Sequence, residues 1–205
     1  MRDRTAELHI SAERSGVVAA LLQGQVTQVD YALYLRNLLP VYQALEHALE
    51  RRVDRPAFAA LAQRSLYRSD CLLADLGDLV GPAWASNLAL LPSAERYAAR
   101  ITLTAGDERL AAHCYTRYLG DLNGGKLVAR CLVKHFGSDF RAIAFSQFPG
   151  IANLPAFRTA YRASLDRVSD MLGDVGAVVE EAAIAFELSI ALSTEVAANR
   201  AIAKA

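Results

Sequence analysis

The stretch YTRYLGDLNGG, residues 115–125, has the residue types best suited to chemistry in this sequence. It places Gly120, Gly124 and Gly125 within six positions, although each glycine inside a helix costs roughly 1 kcal/mol relative to alanine. On a helix these spacings put the three glycines near one another, so that another group can approach the backbone closely. Tight helix–helix packing is the ordinary interpretation of the pattern, and a flat ligand lying against the backbone is the functional one.

Asp121 lies among these glycines, beside a face that we expect to be partly buried. A buried carboxylate must be paired or hydrogen-bonded. Arg117, four residues earlier, could form an ordinary salt bridge with it. The alternative is a carboxyl group that holds a water molecule and relays protons. These residues alone leave both interpretations open.

The four histidines include one candidate metal ligand. His9 precedes Glu13 by four residues, which places both on one helical face, and a neutral imidazole is a common iron ligand. A lone histidine on an amphipathic helix is nevertheless most often not a ligand. His47, His113 and His135 show no mutual metal-ligand spacing, and we interpret them as surface or core-edge residues.

Two arginines, Arg158 and Arg162, are one helical turn apart and flank Tyr161. Two guanidinium groups on one face suit a ligand that carries carboxylates or phosphates, because each can bind bidentately. A solvated helix face is the plainer interpretation. The sequence contains no GxSxG or HExxH motif and no phosphate-binding glycine loop.

Apolar residues recur at helical spacing along the chain, and no stretch alternates as a half-buried strand would. We therefore predict an all-α fold in a single domain, residues 1–205. Pro40 is expected to kink or locally break the second helix, and Trp84 is expected in a loop. The predicted helices cover residues 5–22, 28–49, 58–79, 92–104, 109–136, 155–172 and 175–200, with a short aromatic segment at 140–150.

The composition indicates a packed protein that does not bind nucleic acid. Hydrophobic residues make up 53% of the 205 residues, and Lys+Arg and Asp+Glu balance at 22 each, without the basic excess of nucleic-acid binders. No secretory signal is visible, and glutamates interrupt the most apolar segment, 177–198, so we expect no membrane span. Without a CxxC pair, the cysteines are expected to be reduced thiols of a cytoplasmic protein. They are Cys71, Cys114 and Cys131.

Several segments, taken in order, resemble the biliverdin-producing haem oxygenases over nearly the whole chain. The strongest likeness is residues 112–125, AHCYTRYLGDLNGG, which is similar to the distal-helix signature of that family. Residues 5–13, TAELHISAE, are similar to the segment that carries its proximal histidine. Further matching segments are VYQALE (41–46), FP (148–149), FRTAYR (157–162) and EAAIAF (181–186).

This resemblance implies a haem-oxygenase-like helical fold with haem sandwiched between a proximal and a distal helix. His9 would be the axial ligand of the haem iron, with Glu13 as its partner. Gly120, Gly124 and Gly125 would let the distal helix lie close over the haem.

The resemblance also implies roles for polar residues around the haem. Asp121 would organise a distal water network, supported by Arg117 and Tyr42. The residues implied to hold the haem propionates are Tyr115, Arg158, Arg162 and, as a further cation, Arg2.

Four positions depart from the pattern common in the family and concern details of how haem is seated. Ala6 stands where a basic residue is frequent. Asn123 replaces a common serine, Lys126 a common glutamine and Ser189 a common asparagine.

The implied reaction takes haem b as both cofactor and substrate and cleaves it with O₂, at the α-meso carbon, to biliverdin, carbon monoxide and ferrous iron. The sequence has no flavin or iron–sulfur motif, so a ferredoxin or an NAD(P)H-dependent reductase is expected to supply electrons. We expect a monomer. A non-catalytic haem carrier on the same scaffold is one alternative. A thiamine-degrading hydrolase is another, but it would need a nucleophilic cysteine, and neither Cys114 nor Cys131 has a suitable sequence context.

Overall fold

The architecture is helical throughout the described part of the chain, and the all-α prediction is confirmed. The computed structural model describes residues 2–103 and 106–202, with side chains described for 5–103 and 106–199. Within these ranges the α-helices are α1 Arg2–Glu13, α2 Gly16–Leu22, α3 Gln28–Glu50, α4 Pro56–Ala59, α5 Ser69–Val80, α6 Trp84–Asn87, α7 Pro92–Leu103, α8 Asp107–Cys114, α9 Gly120–Phe136, α10 Leu154–Leu172 and α11 Val175–Ile202. None of these described helices combines the length and the apolar composition that crossing a membrane requires.

Helix α3 forms the centre of the core, where it packs against α5 and α7. A capping box starts it: the Thr27 side chain accepts from the backbone N–H of Asp30, whose carboxylate accepts from the N–H of Thr27. The helix runs through Pro40 without interruption, so the expected local break is wrong. The neighbouring Leu39 and Val41 are buried, and their packing offsets the hydrogen bond that the proline removes.

The predicted helix 5–22 is two helices, because the chain turns at Gly16. Gly16 has a φ of +55°, and a Cβ there would overlap the backbone of Ser193 on α11. The Ser193 hydroxyl donates to the carbonyl of Ser15 at 2.8 Å and accepts from the N–H of Val18 at 3.2 Å. This joint fixes α1 and α2 against the long C-terminal helix.

The prediction of one helix over residues 58–79 is also wrong. The structure has the short α4, a 3₁₀ turn at Arg64–Leu66 and then α5. Glu46 of α3 starts α5, because its carboxylate accepts the backbone N–H groups of Arg68 and Ser69. Trp84 begins the short helix α6 and does not lie in a loop.

Residues 107–136 form one nearly continuous helical rod, as the sequence predicts for 109–136. Between α8 and α9 it contains a π-helical turn, Tyr115–Leu119. Such turns insert one extra residue into a helix and occur frequently at functional sites. We call the rod from the π turn through α9 the distal helix.

A buried ionic cluster joins α7, α8 and α11. Glu181 accepts from Arg100 at 2.9 and 2.6 Å, and His113 Nε2 lies 3.1 Å from the same carboxylate. Burial lowers the pKa of His113. Burial alone would raise the pKa of Glu181, but the bonds from Arg100 and His113 lower it to about 2. His113 is therefore a fully buried core residue, and its interpretation as a surface or core-edge residue is wrong.

Candidate functional site

Two cavities lie side by side between α1 and the distal helix. The inner cavity, of about 190 Å³, is lined by residues that include Tyr34, Asp121, Gly124 and Ser146. The outer cavity, of about 620 Å³, is lined by residues that include Tyr115, Asn123, Arg158 and Arg162. Four residues line both cavities, which therefore form one crevice: His9, Thr116, Gly120 and Phe186.

His9 lines both cavities and is the candidate metal ligand of this crevice. Its Nδ1 lies 3.6 Å from a carboxylate oxygen of Glu13, and the edge of Phe186 packs against the ring at 5.8 Å between centroids. The side chain is 45% exposed. No described residue forms a hydrogen bond with Nε2, so this atom is available to bind a metal.

A directed chain of hydrogen bonds converges on Asp121. Arg117 donates to the hydroxyl of Tyr42 from Nη2 at 2.7 Å and from Nε at 3.1 Å. Tyr42 in turn donates to Oδ2 of Asp121 at 2.6 Å. Arg117 Nη2 also lies 3.8 Å from Oδ1, so the salt bridge that the spacing allows is present, and Tyr42 adds a hydrogen-bonded connection between the same two residues. Among the described residues, none donates a hydrogen bond to Oδ1 of Asp121.

The electrostatics of this polar cluster favour a carboxyl group that can hold a proton. Burial raises the pKa of Asp121, while the Arg117 charge and the Tyr42 hydrogen bond lower it in part. Burial also raises the pKa of Tyr42 well above its usual range, so the phenol stays protonated and remains a donor. Asp121 is thus suited to accept and release a proton at the cavity.

The three glycines of the distal helix serve two purposes. A Cβ added at Gly120 or Gly124 would meet nothing within 4 Å, and both residues line the inner cavity. A Cβ at Gly125 would lie 2.6 Å from the carbonyl oxygen of Ser146. Gly125 also lines the inner cavity, but the carbonyl of Ser146 leaves no room for a side chain at this position.

The predicted propionate ligands lie at the outer cavity. Arg158 is half-buried and donates from Nη1 to the side-chain oxygen of Asn123 at 3.1 Å. Arg162 is exposed and Tyr115 is half-buried, and both line the same cavity. The side chain of Arg2 lies outside the described residues. The two guanidinium groups give the cavity mouth a positive charge suited to carboxylates.

Several residues that line the site were given no role from the sequence. Ser189 accepts from Arg117 Nη1 at 3.4 Å, and Phe186, three residues earlier on α11, packs on His9. Tyr31 and Tyr34 of α3 line the inner cavity. A signal for the two tyrosines was available, because Tyr31, Tyr34 and Tyr42 recur at spacings of three and eight residues on α3.

The cysteines do not form a nucleophilic site. All three are free, and burial raises the pKa of Cys114 to about 12. A thiol that stays protonated at neutral pH is a poor nucleophile. The Cys131 thiol donates to the backbone carbonyl of Leu22 at 3.8 Å, and the residue packs against the hydrophobic core. The hydrolase alternative therefore has no support in this structure.

The crevice fits a flat, iron-containing ligand that carries carboxylates. His9 offers one metal ligand on α1, and the absent side chains at Gly120 and Gly124 leave open space beside the distal helix. Arg158 and Arg162 supply positive charge at the outer side. The fold and the site together define a helical haem-binding protein with a polar cluster on the distal side.

Comparison with known proteins identifies the family. The family model described as "Heme oxygenase" matches residues 1–195. Heme oxygenase 1 of Rattus norvegicus is 35% identical over 204 residues, covering 97% of this chain and 70% of the relative. Heme oxygenase 1 of Nostoc sp. is 32% identical, covering 97% and 85%. The chain belongs to the haem oxygenase family.

Solved structures give the same result. The crystal structure of heme oxygenase-1 from the cyanobacterium Synechocystis sp. in complex with heme has a TM-score of 0.89 at 29% identity, covering 98% of this chain and 93% of that one. The heme oxygenase of Leptospira interrogans has a TM-score of 0.86 at 28% identity, covering 95% and 97%. The resemblance stated from the sequence motifs and the helical fold it implies are both confirmed.

Proposed function

We propose that this enzyme binds haem b between α1 and the distal helix and cleaves it at the α-meso carbon to biliverdin, carbon monoxide and ferrous iron. One observation carries the proposal. Asp121, whose Oδ1 accepts no hydrogen bond from any described residue, lines the same inner cavity as His9. A metal ligand and a proton-relaying carboxyl group thus share one cavity.

His9 would bind the haem iron through Nε2, while Glu13, near Nδ1, orients the ring. Gly120 and Gly124 leave the space in which the porphyrin and a small ligand fit under the distal helix. Bound haem would supply the iron that activates O₂ and the porphyrin edge that is oxidised.

Asp121 would hold a water molecule at Oδ1 and pass a proton to it. The hydrogen bond from Tyr42 engages Oδ2, so Oδ1 is the oxygen left to accept a hydrogen bond from water. Arg117 fixes Tyr42 through two donors. The raised pKa of Asp121 brings its protonation closer to neutral pH than that of an exposed aspartate.

The outer cavity would hold the two propionates and so fix the rotation of haem in its plane. Arg158 and Arg162 supply the cations and Tyr115 a hydroxyl. Asn123 accepts from Arg158 and limits its orientations. This rotation decides which meso carbon lies beside the distal polar cluster. Chromatographic identification of the biliverdin isomer tests the proposed α position.

We also propose that a ferredoxin or an NAD(P)H-dependent reductase delivers the electrons, since the sequence has no flavin or iron–sulfur motif. We also propose that the enzyme is a monomer. Three free thiols are in keeping with the reducing cytoplasm.

Replacing Asp121 with Asn tests the central step. The amide keeps the shape of the side chain but cannot relay a proton, so haem should bind normally while biliverdin formation falls about 10²-fold or more. Haem titration and biliverdin absorbance measure the two quantities. The matched control is Asp166→Asn, an exposed aspartate on α10 that should leave both unchanged.

Two outcomes would contradict the proposal. Near-normal turnover in Asp121→Asn would remove the relay role from this residue. Haem binding without biliverdin in the wild-type chain supplied with a reductant would instead favour the haem carrier. Replacing His9 with Ala tests the iron ligand separately, because an unchanged haem spectrum would show that His9 does not bind the metal.

A further inference from the structure

The segment 144–148, part of the connection between α9 and α10, packs against the distal helix at Gly125. The carbonyl oxygen of Ser146 would lie 2.6 Å from a Cβ on Gly125, and the ring of Phe148 would lie 3.5 Å from it. Gly125 directly follows Gly124, which lines the inner cavity. We therefore expect the position of this segment to affect how close the distal helix comes to the ligand site.

Asp75 of α5 holds the segment just before Ser146. Its two carboxylate oxygens each accept one backbone N–H, from Ala144 at 2.9 Å and from Phe145 at 2.8 Å. The side chain is buried at 1% exposure. A single carboxylate thus fixes two successive peptide groups.

Arg68 holds the segment just after Ser146. Its Nη1 donates to the carbonyl of Gln147, and its guanidinium carbon lies 4.2 Å from the centre of the Phe148 ring. The guanidinium is itself fixed by bonds to the carbonyls of Ser65 and Leu66, each at 3.0 Å. Arg68 is also buried, at 3% exposure.

Burying these two charged groups has a desolvation cost that lowers the stability of the fold. Burial raises the pKa of Asp75 to about 6 in spite of its two hydrogen bonds, so near neutral pH the carboxylate is mainly ionised at an energetic cost. Neither Asp75 nor Arg68 lines the inner cavity. Phe145 and Ser146 of the segment between them do line that cavity, and the charge of Arg68 also lowers the pKa of Asp121 directly.

We propose that Asp75 and Arg68 are positioning residues, which hold Ser146 against Gly125 and thereby set the distance of Gly124 and Asp121 from bound haem. The catalytic consequence rests on the proposed function. The mechanical coupling does not, since every contact in it is present without haem.

The coupling is tested by hydrogen–deuterium exchange on the full haem-free chain. In Asp75→Asn one N–H of the pair faces an amide NH₂ and loses its acceptor, so residues 144–148 should lose protection. If the segment supports the distal helix, exchange in residues 120–125 should also rise, by about tenfold. Unchanged exchange in 120–125 with faster exchange in 144–148 would overturn the proposal.

Glu195→Gln is the matched control, because Glu195 likewise accepts a backbone N–H, that of Ser93 at 2.8 Å, but joins α11 to α7. It should leave exchange in 120–125 at the wild-type rate. Faster exchange there in the control would show general loosening and would also overturn the proposal.

Turnover of the haem-loaded variants tests the catalytic consequence. Asp75→Asn should bind haem with nearly wild-type affinity but form biliverdin about tenfold more slowly, as expected when a reacting group is slightly misplaced. Arg68→Lys, which keeps the charge, should be less impaired than Arg68→Met. Normal turnover in Asp75→Asn, with altered exchange in 120–125, would refute the positioning role. Failure of the proposed function itself would instead appear as normal turnover in Asp121→Asn.

Discussion

At the scale of single residues, the glycines of the distal helix lack a side chain for two different physical reasons. Gly120 and Gly124 are small because the space beyond them is open, whereas Gly125 is small because the backbone of Ser146 occupies the space. The sequence shows only that three glycines occur within six positions. Which of these glycines is closely packed depends on the segment 144–148, whose position no local pattern predicts.

This difference predicts that replacement by alanine has opposite effects on stability at Gly124 and at Gly125. Gly124→Ala should stabilise the haem-free protein by up to about 1 kcal/mol, because alanine favours the helix, but should weaken haem binding by filling the cavity. Gly125→Ala should lower the free energy of unfolding by about 1–3 kcal/mol through overpacking. Urea unfolding without haem and titration with haem measure the two effects. Equal loss of stability in both variants would contradict this assignment.

At the scale of elements, the errors of the sequence analysis have a common cause. Residues 5–22 have an unbroken helical pattern, yet Gly16 breaks it, because Ser193, far away in the chain, lies against this residue. Residues 58–79 are divided because Glu46 starts α5 at Arg68 and Ser69. Periodicity reports which faces are buried, but not where a distant element interrupts a helix.

The joint at Gly16 should matter for the metal ligand, because it fixes the helix that carries His9. Gly16→Ala imposes a left-handed φ on alanine and a clash with Ser193, so α1 should shift and haem affinity should fall. Gly173→Ala is the control, since Gly173 has a φ of +81° but nothing within 4 Å of its Cβ position. Gly173→Ala should lower the free energy of unfolding without changing haem affinity. Haem titration measures the affinity of the two variants. Equal affinities would show that the turn at Gly16 does not position His9.

The structure brings together several residues to which the family resemblance gave roles, and those roles remain proposals. His9 and Asp121 lie at one cavity, as the family resemblance implies, and Tyr42 contacts Asp121 directly. Spacing alone could not show this, because Tyr42 and Asp121 are 79 residues apart and meet only in the folded chain. Spacing suggested a direct Arg117–Asp121 salt bridge, which the structure has at 3.8 Å, but it did not show that Tyr42 is hydrogen-bonded to both residues.

At the scale of the whole molecule, the ionic cluster around Glu181 connects helices from different parts of the sequence. Arg100 of α7 and His113 of α8 both contact this glutamate of α11. Breaking such a buried group leaves charges without partners. We expect residues 1–205 to unfold as one unit, because this cluster and the core around α3 share the same helices.

The cluster predicts a specific dependence of stability on pH. The folded pKa of Glu181, about 2, lies below its ordinary value of 4.5, so the unfolded chain takes up the proton first as the pH falls. The stabilising contribution is complete above pH 4.5 and is lost as the pH falls towards 2. Glu181→Gln should be less stable at pH 7 and should lose less stability on acidification. Urea unfolding at several pH values measures this, with the exposed neighbour variant Glu180→Gln as control. Parallel curves for wild type and Glu181→Gln would contradict it.

The π-helical turn at Tyr115–Leu119 has a consequence for how this chain can change in evolution. An α-helix rotates by about 100° per residue, so one additional residue offsets the faces before and after the turn by that angle. Deleting a single residue there would swing Gly120, Asp121 and Gly124 away from His9 together. Substitutions within the turn would leave their directions intact. Insertions and deletions should therefore be excluded from this turn even where its side chains are free to vary.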